Sequence, residues 1–348
     1  MSTTCLISNY NYAHFLGDAV GSALGQTVPF DQIIVVDDGS TDGSLNLLTD
    51  RYRGQANLQV VAKQNEGQLS CFNEGFARAI GDIVFFLDAD DVYEPNYVEQ
   101  ALEVYDRDQS HDFLFCGYRQ FGDRDHVKAE FPEDRDLGYS VVLAAYLREW
   151  IGGPTSCLSM RRRVLEKILP LPFIEDWRTR ADDCLVFGGS LVGARKYYLA
   201  QTLVNYRVHS SNQFCGRRCD KFATYRRRLA VNALFEHLER KLCYDVPRLA
   251  EIHHREFRTI AKPTFRQLRQ YCRIGASSRA SLFRRAACIA EMAGYYLRTS
   301  MTPVRRAGSA AALTEQEPTT ALHVFRPAAD PAPSLHTRPL KQHPPLAA

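Results

Sequence analysis

Three short apolar runs, each closed by a polar cluster, constrain this chain more than any other feature. TTCLIS (3–8) ends in Asn9-Tyr10-Asn11, QIIVV (32–36) in Asp37-Asp38-Gly39-Ser40, and DIVFFL (82–87) in Asp88-Ala89-Asp90-Asp91. An apolar run without alternation is the mark of a strand buried on both faces. Between the runs, apolar residues recur at helical spacing over Tyr12–Leu24, Asp42–Tyr52 and Gln68–Ile80, and Leu58–Ala62 adds a further strand. The alternation predicts an α/β fold, with an open, mostly parallel sheet and helices on both faces. In such a sheet ligands bind beyond the carboxyl ends of the strands. That rim here collects Asp37, Asp38, Asp88, Asp90 and Asp91. So many carboxylates repel unless something neutralises them. A divalent cation with a taste for hard oxygen ligands, Mg²⁺ or Mn²⁺, does so and can bridge to a diphosphate.

Beyond residue 100 the pattern loosens. Phe113–Phe121 reads as a strand, Asp123–Gly138 as a charged loop and Val141–Trp150 as a helix. Gly152-Gly153-Pro154 reads as a turn and Asp182–Leu191 as a helix, with strand pieces at Lys196–Leu199 and Leu203–Val208. Three regions are expected: a catalytic domain over 1–216, a helical extension over 217–306 and a disordered Pro/Ala-rich tail over 307–348. Charge supports the division. Residues 1–216 balance at −11 and residues 217–306 at +14, while the tail balances at zero. No GxxxxGK[ST] and no GxGxxG after the first strand occurs, which argues against an ATPase and a dinucleotide dehydrogenase. A sugar nucleotidylyltransferase would show a Gly-rich phosphate loop with a basic residue where Asn9-Tyr10-Asn11-Tyr12 stands. The ten cysteines lack a framework spacing and read as reduced thiols; Cys215 and Cys219 make only a weak zinc pattern.

The runs ISNYNYAHFLGDAVGSALGQT, IIVVDDGSTDGS and NEGQLSCFNEGFARAIGDIVFFLDADD, in this order and spacing, resemble the family 2 glycosyltransferases. The resemblance covers residues 3–212 and implies a GT-A nucleotide-sugar-binding fold, followed here by the helical extension. It implies that Ser8 and Tyr10 line the base pocket and that Asp38 contacts the nucleobase or ribose. It also implies that Asp88 reaches the ribose or sugar and that Asp90 ligates the metal. Ala181-Asp182-Asp183 resembles the family's Glu-Asp pair, which makes Asp183 the general-base candidate with Asp182 the alternative. YRVHSSNQ resembles the late YRxH element, so His209 would complete the metal shell or touch the diphosphate. Phe72 stands where many members have Arg, which removes a phosphate contact. Trp177 reads equally as an acceptor platform or a core residue.

The activity so implied is inverting transfer of a sugar from a nucleoside diphosphate donor, UDP- or dTDP-linked, to a hydroxyl. The acceptor would be a growing or lipid-linked glycan, as in polysaccharide biosynthesis. A catalytically silent nucleotide-sugar binder is the alternative. No export signal and no membrane-spanning run is legible, which predicts a cytoplasmic protein. Basic helices carrying Arg284-Arg285 and Tyr295-Tyr296-Leu297 suit peripheral contact with the inner membrane face, or a solvated cap. No nucleic-acid motif accompanies the charge.

Overall fold

The computed structural model describes residues 1–210, 212 and 220–301. The expected tail over 307–348, and Cys215 and Cys219, lie outside the described residues. The first half builds as the sequence predicts. β1 (Thr3–Asn9), α1 (Ala13–Leu24), β2 (Gln32–Asp37), α2 (Ser44–Tyr52), β3 (Leu58–Ala62), α3 (Gln68–Arg78) and β4 (Ile83–Asp88) alternate along the chain. β3, β2, β1 and β4 lie side by side in that order, all parallel.

The sheet then changes character. β5 (Val92–Tyr93) and α4 (Tyr97–Arg107) lead into β6 (Phe113–Gly122), β7 (His126–Lys128), β8 (Arg135–Gly138) and α5 (Val141–Leu147). β9 (Leu158–Arg161), α6 (Arg162–Ile168), α7 (Asp182–Leu191) and the long β10 (Lys196–Val208) follow. β9 is antiparallel and bridges β4 to β6, while β6 and β10 are parallel to each other. The charged stretch 123–138, expected as loop, contains β7 and β8. Their side chains lack an apolar pattern, and they are strands because the longer β6 and β10 offer them free edges.

Period two decides the core. On β1, Cys5 and Ile7 enter one apolar cluster and Leu6 the other, and β4 divides Phe85 and Leu87 from Phe86 in the same way. The first face packs against α1 and α4, the second against α3, α6 and α7. Because both faces are covered, the strands read as unbroken apolar runs.

The rest of the described chain is helical: α8 (Lys221–Lys241), α9 (Val246–Leu249), α10 (His253–Phe257), α11 (Phe265–Ala276) and α12 (Leu282–Met301). These helices are packed onto the sheet domain. Leu234, Phe235 and Leu238 of α8 sit in the same core as α3 and α7. Glu256 of α10 is buried, and its carboxylate accepts the Val142 and Leu143 N–H groups (2.8 and 3.1 Å) and the Tyr271 hydroxyl (2.8 Å). It thus satisfies the otherwise orphaned amides at the start of α5. Burial raises its pKa, and the three donors oppose that rise. Glu256→Ala would leave two amides and a phenol buried without partners. Its expected cost is about 2–4 kcal/mol, read as a lowered urea midpoint, whereas Glu256→Gln should lose less.

Candidate active site

The carboxyl ends of β1, β2 and β4 open into a cleft of about 440 Å³. It sits where strand order reverses, with β2 on one side of β1 and β4 on the other. The rim carboxylates divide into those that hold the frame and those that face the cleft. Asp37 is fully buried and accepts from Asn9 Nδ2 (2.7 Å) and the Ser40 amide (2.9 Å), fixing the turn after β2. Asp91 is likewise buried, on the Ser156 hydroxyl (2.6 Å) and the Arg207 amide (2.8 Å).

Asp38 reaches the cleft wall, yet its oxygens already accept Lys63 Nζ (2.7 Å) and the amides of Glu66 (3.0 Å) and Gly67 (2.7 Å). It shapes the loop before α3. Gly67 in that loop has φ +92°, and a Cβ there would collide with the Arg178 backbone. Only glycine permits this approach. In return the first amides of α3 are satisfied, Gln68 by Arg178 O (2.9 Å) and Leu69 by Trp177 O (3.2 Å).

The cleft-facing set is Ser8, Tyr10, Asp88, Asp90, Asp182 and their neighbours. Asp88 accepts from Ser8 Oγ (3.2 Å) and Gln68 Nε2 (2.8 Å). Burial, then the charges of Asp90 and Asp182, push its carboxyl up to about 7. Asp90 Oδ2 lies 3.0 Å from His209 Nε2 and 3.2 Å from Asn212 Nδ2, and these two nitrogens are 3.1 Å apart. A carboxylate oxygen beside an imidazole nitrogen, under a crowd of like charges, fits a divalent cation such as Mn²⁺. Asp90 and His209 are thus two candidate ligands of the type such a cation takes.

Gln68 joins the two acidic centres. While its Nε2 donates to Asp88, its Oε1 accepts from the Ala181 amide (2.9 Å) at the head of α7. Asp182 follows on the cleft wall, its carboxyl raised to about 7 by burial first and by Asp183 beside it second. Asp183 is different. It is 0% exposed, does not line the cleft, and accepts Arg227 Nε and Nη2 at 2.7 and 2.8 Å, with Arg180 Nε 3.7 Å away. The resemblance ranks Asp183 first as base. The geometry separates the two: Asp182 faces the cleft, whereas Asp183 is buried and already paired with the Arg227 guanidinium.

Several residues of the cleft have no place in the sequence reading. Arg178 and Arg180 line it and supply the cationic character missing at Phe72, which is a core residue stacked edge-on to Phe86. Their signal was the basic run WRTR just ahead of Asp182. Gln68 and Asn212 carry no such signal, since single amides become polar bridges only through tertiary contact. Trp177 is buried at 2% exposure and serves the core, whereas Trp150 is half-exposed on the cleft wall. Tyr12 also lines the cleft, edge-on to His209, its hydroxyl pKa raised by burial and by Asp90, Asp88 and Asp91.

Comparison with known proteins follows this geometry. Residues 4–169 match the family model described as Glycosyl transferase family 2. An uncharacterized glycosyltransferase of Nostoc, alr2836, is 36% identical over 219 residues, covering 61% of this chain and 66% of that protein. The chondroitin synthase of Pasteurella multocida is 34% identical over 112 residues, covering 32% of this chain and 11% of that protein. The chain thus spans about two thirds of the first relative and about a tenth of the second. Among solved structures, residues 1–349 of Staphylococcus aureus TarS, crystallised with UDP-GlcNAc, superpose with a TM-score of 0.55 at 19% identity. That match covers 86% of this chain and 90% of the TarS chain, and it shows the shared GT-A fold. The matched segment contains β1, β2, β4 and their acidic ends, and on this footing the chain belongs to glycosyl transferase family 2.

Proposed function

We propose that this protein transfers a sugar from a nucleoside diphosphate donor to a hydroxyl acceptor with inversion, and that Asp182 is the general base. One observation carries the reading: a partly buried carboxylate with a pKa near 7 shares a cleft, through Gln68, with the Asp88–Asp90 pair. A base is most effective when its pKa lies near the working pH. As the acceptor oxygen bonds to the anomeric carbon, its proton passes to Asp182 and the bond to the diphosphate oxygen breaks. Attack from the face opposite the leaving group inverts the centre. Arg178 and Arg180 are placed to stabilise the charge left on the diphosphate. Asp90 and His209 would hold a divalent cation, which supplies further charge neutralisation at the diphosphate when bound.

The donor end favours a uracil or thymine nucleotide, UDP- or dTDP-linked. Asn9 lines the cleft with its Nδ2 committed to Asp37, leaving a buried Oδ1 without a protein partner. These two bases offer the single ring N–H that such an oxygen accepts. Ser8 and Tyr10 flank that position. The half-exposed Trp150 offers an apolar face to an acceptor sugar.

A lipid-linked glycan acceptor would place the reaction beside a bilayer. No helix among the described residues is long and apolar enough to cross one. Peripheral contact is supported by Leu282 and Phe283, 80% and 87% exposed at the start of α12 and followed by Arg284 and Arg285. Phe283→Ser should lower co-sedimentation with phosphatidylglycerol vesicles and leave turnover of a soluble acceptor unchanged. Equal sedimentation of both proteins would refute the contact.

Asp182→Asn should reduce turnover about 10²–10⁴-fold with donor affinity retained in calorimetry. Because the raised pKa keeps Asp182 protonated below about 7, wild-type kcat/KM should climb as pH rises through that value. A profile flat from pH 5.5 to 8, or full activity in the variant, would remove Asp182 from the role.

The cation reading has its own test. Asp88 and Asp182 both titrate high, so the apo protein loses stability as pH rises through about 7 and these groups ionise together. Below that pH protons compete for the same oxygens. Mn²⁺ should therefore raise Tm more at pH 8 than at pH 5.5, and Asp90→Ala should abolish the difference. Thermal shift assays across the two buffers decide it.

A further inference from the structure

Outside the cleft, a second set of metal-ligand side chains converges in the helical extension. His253 and His254 open α10, and Cys288 lies in the second turn of α12. One donor atom from each falls within 4.8 Å of the other two. We propose that these three residues bind a soft divalent cation, Zn²⁺ foremost, at a site separate from the one at Asp90 and independent of the transferase reading.

Two observations support the site. His253 is 2% exposed, and its Nδ1 lies 2.6 Å from the Ala250 carbonyl. A carbonyl only accepts, so Nδ1 carries the proton and Nε2 keeps its lone pair. This is the tautomer that a metal-binding histidine adopts, with its second nitrogen donating to an outer acceptor. Next, His253 Nε2 and His254 Nδ1 are both buried without a hydrogen-bond partner. Two orphaned imidazole nitrogens in one place call for an explanation, and a cation supplies one for both. Gly275 of α11 packs directly against that Nε2, where a Cβ would lie 2.4 Å from the nitrogen.

Two imidazoles and a thiolate select Zn²⁺ over Mg²⁺ or Mn²⁺. Ligand atoms around tetrahedral Zn²⁺, at about 2.0–2.3 Å from the metal, stand about 3.5 Å apart. Binding would therefore draw the three donor atoms together from their present spacing of up to 4.8 Å. Occupied, the site would fasten α12 to α10 across the apolar cluster of Phe257, Tyr271 and Met292.

Cobalt reports on the site directly. The full chain, stripped with chelator, should bind one Co²⁺ with a thiolate-to-metal charge-transfer band and the visible bands of tetrahedral cobalt. Asp90→Ala should keep both, and Cys288→Ser should lose the charge-transfer band. In the Asp90→Ala background, Zn²⁺ at a hundredfold excess over Kd should raise Tm by about 5 °C. Zn²⁺ should also protect Cys288 of the unaltered protein from iodoacetamide at least tenfold, with exposed Cys243 as the unprotected control. No charge-transfer band at one equivalent, the same band in Cys288→Ser, or equal alkylation of Cys288 with and without Zn²⁺ would each overturn the proposal.

Discussion

Like-charge crowding at the carboxyl ends of three adjacent parallel strands is the constraint on which this structure turns. The parallel sheet brings β1, β2 and β4 to a common edge, and their following residues are rich in aspartate. A folded chain must dispose of that charge. Asp37 and Asp91 are buried on amide, hydroxyl and backbone donors, and Asp38 is held by Lys63 and two amides. Asp88 and Asp90, joined by Asp182 from the head of α7, line the cleft instead. The fold thus separates carboxylates that build the frame from carboxylates that line the cleft.

The helical extension takes part in that separation. Arg227 belongs to α8, outside the family-matched segment, and it neutralises Asp183 beside the proposed base. Removing the extension would leave a buried carboxylate unpaired one residue from Asp182, a costly arrangement. Glu256 performs the converse service, its charge capping α5 from the extension side. The acidic front and basic back of the chain therefore meet at one buried carboxylate, Asp183 with Arg227, and at the more exposed pairs Lys262–Glu133 and Arg266–Glu149.

Legibility follows contact range. β1 to β4 and the helices between them were visible because a strand covered on both faces must be continuously apolar, and a covering helix must repeat every three to four residues. The DADD cluster was visible as a site because it follows such a strand directly. β7 and β8 were not, since β7 is exposed and β8 offers a single core side chain, Leu137, so that backbone pairing is what makes them strands. Gln68, Asn212 and Trp150 were hidden for a related reason. An amide or an aromatic ring is ordinary in sequence, and only the fold sets Gln68 between Asp88 and Ala181.

The amino-acid order alone determined the parallel α/β half, the acidic rim at its strand ends and the family resemblance, all of which rest on patterns within the first hundred residues or so. Tertiary structure alone supplied the difference between the surroundings of Asp182 and Asp183. The two are chemically identical neighbours at the start of one helix, and they differ only in what lies across from them: open cleft for one, the guanidinium of Arg227 for the other. That partner sits 44 residues further along the chain, in a region with no apolar pattern linking it to the site, so only the packing of α8 against α7 could reveal it.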